Sequence, residues 1–312
     1  MKLNFLFLYL TLIAILFSCE QNDDIDPKLD VPDAVPENEI IRIPVVVHVV
    51  NYAPSPFEIS DEKIQSQIDV LNRDYRKKNP DYLKTPDEFM DLVADVGIEF
   101  HLATEGPDGK ATTGIIRTES TVSGFDGRSL DDSVPIEDLA LYFADKGGQD
   151  AWPNDKYLNI WIGDMTSRSG KVLLGGYANF PGSDPRIDGV VLEPRVVGTL
   201  PPLSETNNLG RTATHEIGHW LHLLHIFAKD SDCASTDSVA DTPPQYAQYQ
   251  GRPTYPKMSC GSSDLFMNYM DYVHDDAMFM FTKGQKKRMR SLFDKGGARR
   301  ELYLNSRKSK AE

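Results

Sequence analysis

HEIGHWLHLLH, residues 215 to 225, holds four of the seven histidines of this 312-residue chain together with one glutamate, Glu216. His215 and His219 are four residues apart, so on a helix they project from one face about one turn apart. Both imidazoles could then reach a single zinc ion. Glu216 flanks the same position, where a carboxylate can accept a proton from a zinc-bound water. The spacing, HExxH, therefore predicts a zinc site with a built-in base.

The third ligand depends on where this helix ends. On a continuous helix, His225 would lie about 15 Å along the axis from His215 and His222 about 10.5 Å, too far for a shared metal. A helix that ends just after Leu221 and turns back would deliver His225 instead. His222 would then occupy the turn, in the left-handed backbone conformation that histidine tolerates better than most residues.

Two alternatives remain open from the spacing alone. In the first, the helix runs on, and His222 and His225 are surface residues. In the second, an aspartate is the third ligand, and four candidates follow closely: Asp230, Asp232, Asp237 and Asp241. A downstream glutamate ligand is excluded, because the chain has no glutamate between Glu216 and Glu301.

Later segments carry a resemblance to a known family. The run MNYMDY, residues 267 to 272, contains Met270, which suits the methionine turn beneath the metal of metzincin proteases. With HEIGHWLHLLHIF, CASTDSVADTPPQ, NYMDYVHDDAMFMFTKGQ and the upstream segments YLNIWIGDM, LLGGYANFPG and DGVVLEP, it resembles the pappalysin family of metzincins. The likeness covers roughly residues 40 to 292. The one departure from the pattern HExxHxxGxxH is His222, which stands where the family has glycine.

The resemblance implies an enzyme, a zinc metalloendopeptidase, and a set of residue roles. The implied zinc ligands are His215, His219 and His225. Glu216 would be the general acid/base, and Met270 would support the metal site by packing. Tyr272 matches a tyrosine that lies near the metal in related metzincins and can stabilise charge developing in the transition state; a core tyrosine is the alternative.

Substrate-binding residues are also implied by similarity. In the microbial relatives an acidic residue after the methionine turn lies in the pocket for the side chain just beyond the scissile bond and selects Arg or Lys. Asp275 and Asp276 are the candidates here, and similarity favours Asp276. Upstream, LGGYA, residues 174 to 178, resembles the edge strand along which metzincins align an extended substrate. Gly176 and Tyr177 are therefore expected in substrate binding.

The cysteines and an acidic loop suggest further features. Similar cysteines pair in pappalysins, so a disulfide is expected between Cys233 and Cys260. Between them lies an oxygen-rich stretch, DSVADTPP, residues 237 to 244. Calcium binds there in relatives, which suggests Asp237 and Thr242 as calcium ligands; a solvated acidic loop is the alternative.

The first nineteen residues, MKLNFLFLYLTLIAILFSC, resemble a bacterial lipoprotein signal. Residues 1–18 would be the signal peptide, cut before Cys19, which would carry the lipid. A retained membrane helix is the alternative. Both place the protein outside the cytoplasm, lipid-anchored to a bacterial membrane or cell surface, or secreted.

The remaining chain divides into three parts. Residues 19–39 are predicted to be an acidic flexible tether, residues 40–295 a metzincin-like metalloprotease domain, and residues 296–312 a basic C-terminal tail with a loose end. Expected elements are strands at 40–50, 98–103, 157–163 and 188–192, a helix at 61–78 and the active-site helix from about Asn208. The fold class is α+β, with a twisted mixed sheet and the active-site helix in an upper lobe, and an irregular lower lobe that contains the Met-turn.

Three functions remain under comparison. The leading one is a lipid-anchored zinc endopeptidase acting on protein or peptide substrates. The second is a zinc protease with an aspartate as third ligand, and the third is a surface binding lipoprotein with a structural metal. Glu216 speaks against the third, because a structural site needs a fourth protein ligand and no base. The net charge of −14 argues against a nucleic-acid partner.

Overall fold

A six-stranded sheet and five helices make up the fold, which we describe from a computed structural model covering residues 32–52, 58–122, 124–125, 134–165, 174–229 and 232–308. The sheet strands are β1 (Ile41–Tyr52), β2 (Ile98–Leu102), β3 (Ile115–Ser120), β4 (Leu158–Gly163), β5 (Gly176–Ala178) and β6 (Gly189–Leu192). A separate hairpin consists of β7 (Met258–Ser259) and β8 (Ser262–Ser263). The helices are α1 (Asp61–Asp74), α2 (Asp87–Met90), α3 (Arg211–Trp220), α4 (Lys283–Ser291) and α5 (Arg300–Lys308).

Strand β1 is the centre of the sheet. Its β-branched run is buried, and it pairs in parallel with β2, β3 and β4. Strand β4 continues in parallel to β6, and β5 pairs antiparallel with β6 at the end of the order β2-β1-β4-β6-β5. This mixed sheet confirms the predicted fold class. His48 on β1 is buried, with its Nε2 2.9 Å from Asn159 Oδ1, and so it is a structural strand residue.

Helix α1 connects the sheet to the helix that carries the HExxH motif. The Ser60 hydroxyl caps α1 by accepting from the Lys63 N–H at 3.2 Å. The helix ends at Asp74, before the predicted end at Lys78, because Lys77 adopts a left-handed conformation with φ of 47° and the Lys78 N–H returns to the Arg73 carbonyl at 2.7 Å. There the fully buried Tyr75 donates its hydroxyl to the Thr214 carbonyl in α3 at 3.0 Å. The bond fixes α3 against α1.

The C-terminal tail is not the loose end that its basic composition predicted. It forms α5, in which Leu302 and Tyr303 are buried. Just before α5, the buried Arg299 donates from Nη2 to Asp188 Oδ1 at 2.8 Å, and its guanidinium lies 4.0 Å from the centre of the Trp220 ring. An ion pair and an aromatic face therefore hold the tail against the last residue of α3, contacts that composition alone could not reveal.

Residues 32–39, the described part of the predicted tether, also contact the folded domain. Arg290 Nη2 donates to the carbonyls of Pro36 at 2.7 Å and Glu39 at 3.1 Å, and the Tyr303 hydroxyl donates to Glu39 Oε1 at 2.9 Å. Residues 32–39 are therefore held against α4 and α5, where the sequence predicted flexibility. The signal peptide, Cys19 and the rest of the tether lie outside the described residues.

Between α3 and α4 the chain is mostly irregular. Its described residues contain only the β7–β8 hairpin and a 3-10 turn at Asp275–Ala277. A disulfide joins Cys233 and Cys260 in this region, as expected. Within the described part of the chain, no helix is long and apolar enough to cross a membrane.

Candidate metal centre and active-site cleft

Three histidine nitrogens converge on one point. The Nε2 atoms of His215 and His219 are 3.1 Å apart, and His225 Nε2 lies 3.2 Å from the first and 3.0 Å from the second. A tetrahedral zinc with Zn–N bonds of about 2.0 to 2.1 Å separates its ligand nitrogens by about 3.4 Å, so the donor set fits zinc after a small expansion. Among the described residues this is the one cluster suited to a metal, and it contains no aspartate.

The surroundings of the histidines keep their Nε2 lone pairs free. His215 Nδ1 donates to the Tyr269 carbonyl at 2.6 Å, and His219 Nδ1 donates to the Leu223 carbonyl at 2.8 Å. Burial lowers the pKa of all three histidines, that of His225 to about 3. All three imidazoles are therefore neutral, and the Nδ1 bonds of His215 and His219 leave their Nε2 atoms unprotonated, which is the form that binds metal.

The turn after α3 delivers His225. The Leu223 N–H donates to the Gly218 carbonyl at 2.9 Å, and the His222 N–H donates to the His219 carbonyl at 2.8 Å. These two bonds form a Schellman motif, whose left-handed position is held by His222 with φ of 71°. Arg288 Nε donates to the His222 carbonyl at 2.7 Å. The helix therefore ends where the spacing predicts, and a histidine adopts the conformation usually given to glycine.

Met270 lies directly under α3. Its side chain is fully buried, and a Cβ at Gly218 would come within 2.5 Å of its sulfur. Gly218 is therefore required for the helix and the methionine turn to approach this closely. The sequence did not indicate a role for Gly218. That role becomes visible only in the structure, because it depends on how closely Met270 approaches α3.

Glu216 and Tyr272 line a cavity of about 370 Å³ beside the histidines. Glu216 is buried, and burial raises its pKa to about 8. Tyr272 is half exposed, and its ring centre lies 4.7 Å from that of His225 and 5.6 Å from that of His215. Burial, and then the charge of Glu216, raise the pKa of Tyr272 to about 12, so its hydroxyl is a neutral donor.

The two candidate acidic residues after the methionine turn point in different directions. Asp276 is exposed, and its Oδ2 pairs with Arg252 Nε at 2.7 Å on the surface. Asp275 is fully buried and lines the cavity. Its Oδ2 accepts from the backbone N–H groups of Leu209 at 2.8 Å and Arg211 at 3.2 Å, while its Oδ1 has no hydrogen-bond partner in the described part of the chain. The sequence favoured Asp276 for substrate binding; in the structure Asp275 lines the cavity, whereas Asp276 lies on the surface.

Asp275 also belongs to the buried charges that hold the start of α3. Arg211 is buried, and its guanidinium binds both carboxylate oxygens of Asp81, at 2.7 and 2.8 Å. Its Nη1 donates to the Asp275 carbonyl at 2.8 Å. The sequence analysis missed Arg211, because its partners are distant in the chain.

Strand β5 forms the opposite wall of the cavity. A Cβ at Gly176 would lie 2.8 Å from the Val191 carbonyl oxygen and 3.2 Å from Glu216 Cγ, so only glycine fits there. Tyr177 was expected to contact substrate through this strand, but its side chain is buried on the other face, with its hydroxyl 3.1 Å from that of Tyr142. The side chain of Tyr177 therefore faces the core and not the cleft.

The two residues suggested for calcium contact each other. Thr242 Oγ1 lies 2.7 Å from Asp237 Oδ1 and 2.8 Å from the Val239 carbonyl oxygen. Asp237 is buried, and its Oδ2 has no hydrogen-bond partner among the described residues. The Thr242 hydroxyl is thus engaged within the loop, and one oxygen of Asp237 is not.

Known proteins share this architecture. Residues 143–294 match the family model described as Pregnancy-associated plasma protein-A. An extracellular metalloprotease of Uncinocarpus reesii is 32% identical over 273 residues, which span 83% of this chain and 78% of the relative. Another, from Arthroderma otae, is 42% identical over 119 residues, and that match spans only 44% of the relative's length.

Solved structures agree over most of the chain. Mature mirolysin of Tannerella forsythia, in complex with a cleaved peptide, superposes with a TM-score of 0.77 at 41% identity, covering 87% of this chain and 98% of that one. A promirolysin mutant of the same organism gives 0.78 at 42% identity, covering 88% of this chain and 87% of that one. The chain therefore belongs to the family described as Pregnancy-associated plasma protein-A, the pappalysin family of zinc metalloendopeptidases.

Proposed function

We propose that this protein is an exported zinc endopeptidase that cleaves protein or peptide chains before Arg or Lys. The observation that carries the proposal is the convergence of three neutral histidine nitrogens beside Glu216 on the floor of a cavity. A structural zinc would have four protein ligands, whereas three histidines leave one position for water or substrate. The arrangement therefore favours catalysis over the structural-metal alternative.

The chain's own residues divide the work of peptide hydrolysis. Zinc held by the three histidines would polarise the scissile carbonyl and acidify a water molecule. Glu216, whose buried carboxyl the charge of a bound zinc ion would keep ionised, accepts the proton of the attacking water and passes it to the leaving amine. Tyr272, a neutral phenol beside His225, donates a hydrogen bond to the oxygen that becomes negative as the bond breaks.

Asp275 gives the site its preference for a basic side chain. It lies buried at the cavity wall with one carboxylate oxygen unpartnered, so a guanidinium or ammonium that reaches this oxygen would form a charge-assisted hydrogen bond with it. Burial raises the pKa of Asp275 to about 6, which leaves the carboxyl ionised at neutral pH. The residue selected is the one immediately after the scissile bond.

A peptide-mixture assay tests the proposal. Purified, zinc-loaded protein is incubated with a mixture of unstructured peptides, and the products are sequenced by mass spectrometry with and without a zinc chelator. We expect cleavage that stops with the chelator, returns with added zinc, and leaves Arg or Lys at the new amino termini. Cleavage insensitive to chelation would contradict the zinc mechanism, and cleavage without basic residues after the bond would contradict the role of Asp275.

Export, lipidation and calcium are further parts of the proposal. The names of the relatives from Uncinocarpus reesii and Arthroderma otae describe extracellular enzymes, which supports a site of action outside the cytoplasm. A lipid anchor on Cys19 rests on the sequence alone; mass spectrometry of the mature amino terminus tests it. Calcium at Asp237 is supported by its free, buried Oδ2, and metal analysis of wild type against Asp237→Asn tests it.

A further inference from the structure

Phe180 is an exposed aromatic residue beside the metal centre. It follows strand β5, and 38% of its surface is exposed although it contacts two rings. Its ring centre lies 5.4 Å from that of His219 and 6.4 Å from that of His222. The ring is therefore partly covered by two histidine rings of the zinc motif and partly exposed.

The alternation of β5 places Phe180 on the wall that substrate meets. The Asn179 N–H still donates to the Gly189 carbonyl at 3.0 Å, so the pairing with β6 extends to that residue. Side chains in a strand alternate between faces, so Gly176 and Phe180 share one face, and Tyr177 is on the other. Gly176 faces Glu216 and Phe180 faces His219, whereas Tyr177 faces the core.

Strand β5 is the last strand of the sheet, and among the described residues no further strand pairs with its outer edge. In an antiparallel ladder, successive residues direct their N–H and C=O groups to alternate sides. The bonds of Gly175 to Glu193 and of Asn179 to Gly189 show that the odd-numbered residues pair with β6. The backbone groups of Gly176 and Ala178 are therefore directed away from β6, toward the cleft, where an extended peptide can add as a further strand.

The two ends of β5 then correspond to the two sides of the scissile bond. The cavity that contains Asp275 lies beside Leu174, Gly175 and Gly176, at the start of the strand. Since the proposed function assigns that cavity to the residue after the scissile bond, the residues before the bond pass the other end, where Phe180 lies. This assignment rests on the proposed function.

We propose that Phe180, with the ring of His222 as a second wall, forms a subsite for an apolar side chain within the first three residues before the scissile bond. The ring lies against His219, a residue of the metal cluster, which limits its distance from the reacting bond to a few residues. Its partners at this surface are rings, and Arg288 is engaged with the His222 carbonyl. An apolar or aromatic side chain is therefore favoured over a charged one.

The test compares substrates that differ only before the bond. Quenched fluorescent peptides carry a fixed Arg after the scissile bond, and Leu, Phe, Ser or Asp is placed in turn at each of the three preceding positions. Wild type should prefer Leu or Phe over Ser or Asp by roughly tenfold in kcat/KM at one of these positions. Phe180→Ala should lose that preference while its kcat/KM for the Ser peptide stays near the wild-type value.

Two further variants complete the comparison. Phe180→Leu keeps an apolar side chain and should retain most of the preference, so it serves if Phe180→Ala folds poorly. Leu83→Ala removes an exposed apolar side chain, 66% exposed, from the 3-10 turn at Pro80–Lys84, which does not line the cavity, and should change nothing. Zinc content is measured for each variant.

The outcomes separate the inference from the proposed function. An equal loss for all peptides, or a loss of zinc in Phe180→Ala, would show that Phe180 only shields His219 and would overturn the subsite. An active wild type with no preference at the three positions would overturn it as well. A zinc-loaded wild type that cleaves no peptide would instead overturn the proposed function, and the subsite with it.

Discussion

Two regions of different character meet at the metal centre. The zinc helix region, residues 211–225, places its functional side chains by spacing along a helix and one turn, so its geometry is local. The Met-turn loop, residues 267–278, places Met270 and Asp275 by contacts with residues far away in the chain, such as Gly218 and Leu209. The residues suited to bind the metal are thus determined by a short sequence motif, whereas the shape and charge of the cavity depend on tertiary packing.

The largest effect is expected from removing Glu216, the proposed base of the zinc helix region. Glu216→Ala should lower kcat by up to about 10⁴-fold, the upper range for a general base, while the three histidines keep the zinc. Steady-state kinetics with metal analysis checks both statements. The wild-type protein assayed in parallel is the control, and near-normal turnover in the variant would exclude Glu216 from the mechanism.

His225, delivered by the turn after α3, is the proposed third zinc ligand, and an aspartate is the alternative. His225→Ala should lose stoichiometric zinc and with it the activity, because two histidines leave an incomplete donor set. Asp241→Ala is the matched control, since its carboxylate caps α4 through Thr282 and Gly284 and lies outside the histidine cluster. Retention of zinc in His225→Ala, with loss in the aspartate variant, would favour the alternative ligand.

Tyr272 tests whether the Met-turn loop takes part in the chemistry. Tyr272→Phe removes only the hydroxyl and should lower kcat by about 100-fold with little change in KM, because the bond forms mainly in the transition state. Tyr246→Phe, at another exposed tyrosine, is the control. A rise in KM at unchanged kcat would mean that Tyr272 binds substrate without stabilising the transition state.

Asp275 tests the pocket built by the Met-turn loop. Asp275→Asn keeps an oxygen to accept from Leu209 and Arg211 but removes the charge, so kcat/KM for Arg over norleucine after the bond should fall by about 30-fold, equivalent to about 2 kcal/mol. Asp276→Asn, on the surface, should leave the ratio unchanged. If only Asp276→Asn lowered this kcat/KM ratio, Asp276 and not Asp275 would be the residue that selects Arg.

The same pocket should respond to pH. Because burial raises the pKa of Asp275 to about 6, its carboxyl is charged above that pH and neutral below it. The preference for Arg over norleucine should therefore be present at pH 7 to 8 and decline as the pH falls through about 6. Measuring the ratio of kcat/KM values removes effects common to both substrates, such as protonation of the metal ligands.

The sequence predicted most of the first region and less of the second. The spacing of His215 and His219 and the helix rise determine which histidine can return to the metal, and the structure has that turn. Asp275 and Asp276 differ by one position, and which of them faces inward depends on the Leu209 and Arg211 amides, which no local pattern reveals. Long-range contacts likewise explain why residues 32–39 and α5 are held against the domain although the sequence predicted a flexible tether and a loose end.

The smallest expected effect concerns the turn between the two regions. His222 holds a left-handed conformation, φ 71°, that costs a non-glycine residue about 1 kcal/mol or more. His222→Gly and His222→Ala both remove the imidazole and its contact with Phe180, but only glycine relieves the backbone. The glycine variant should therefore be more stable than the alanine variant by about 1 kcal/mol, or a few degrees in Tm.

Thermal unfolding of zinc-loaded proteins measures this difference. The stability difference between His222→Gly and wild type should be smaller than that between His222→Gly and His222→Ala. Glycine adds entropy to the unfolded chain, and histidine tolerates the left-handed conformation better than alanine does. Zinc content should not change in either variant, since the ring of His222 is not part of the metal cluster. Equal stability of the two variants would show that the turn carries no strain, and that a histidine fits the end of α3 as well as the glycine of the family pattern.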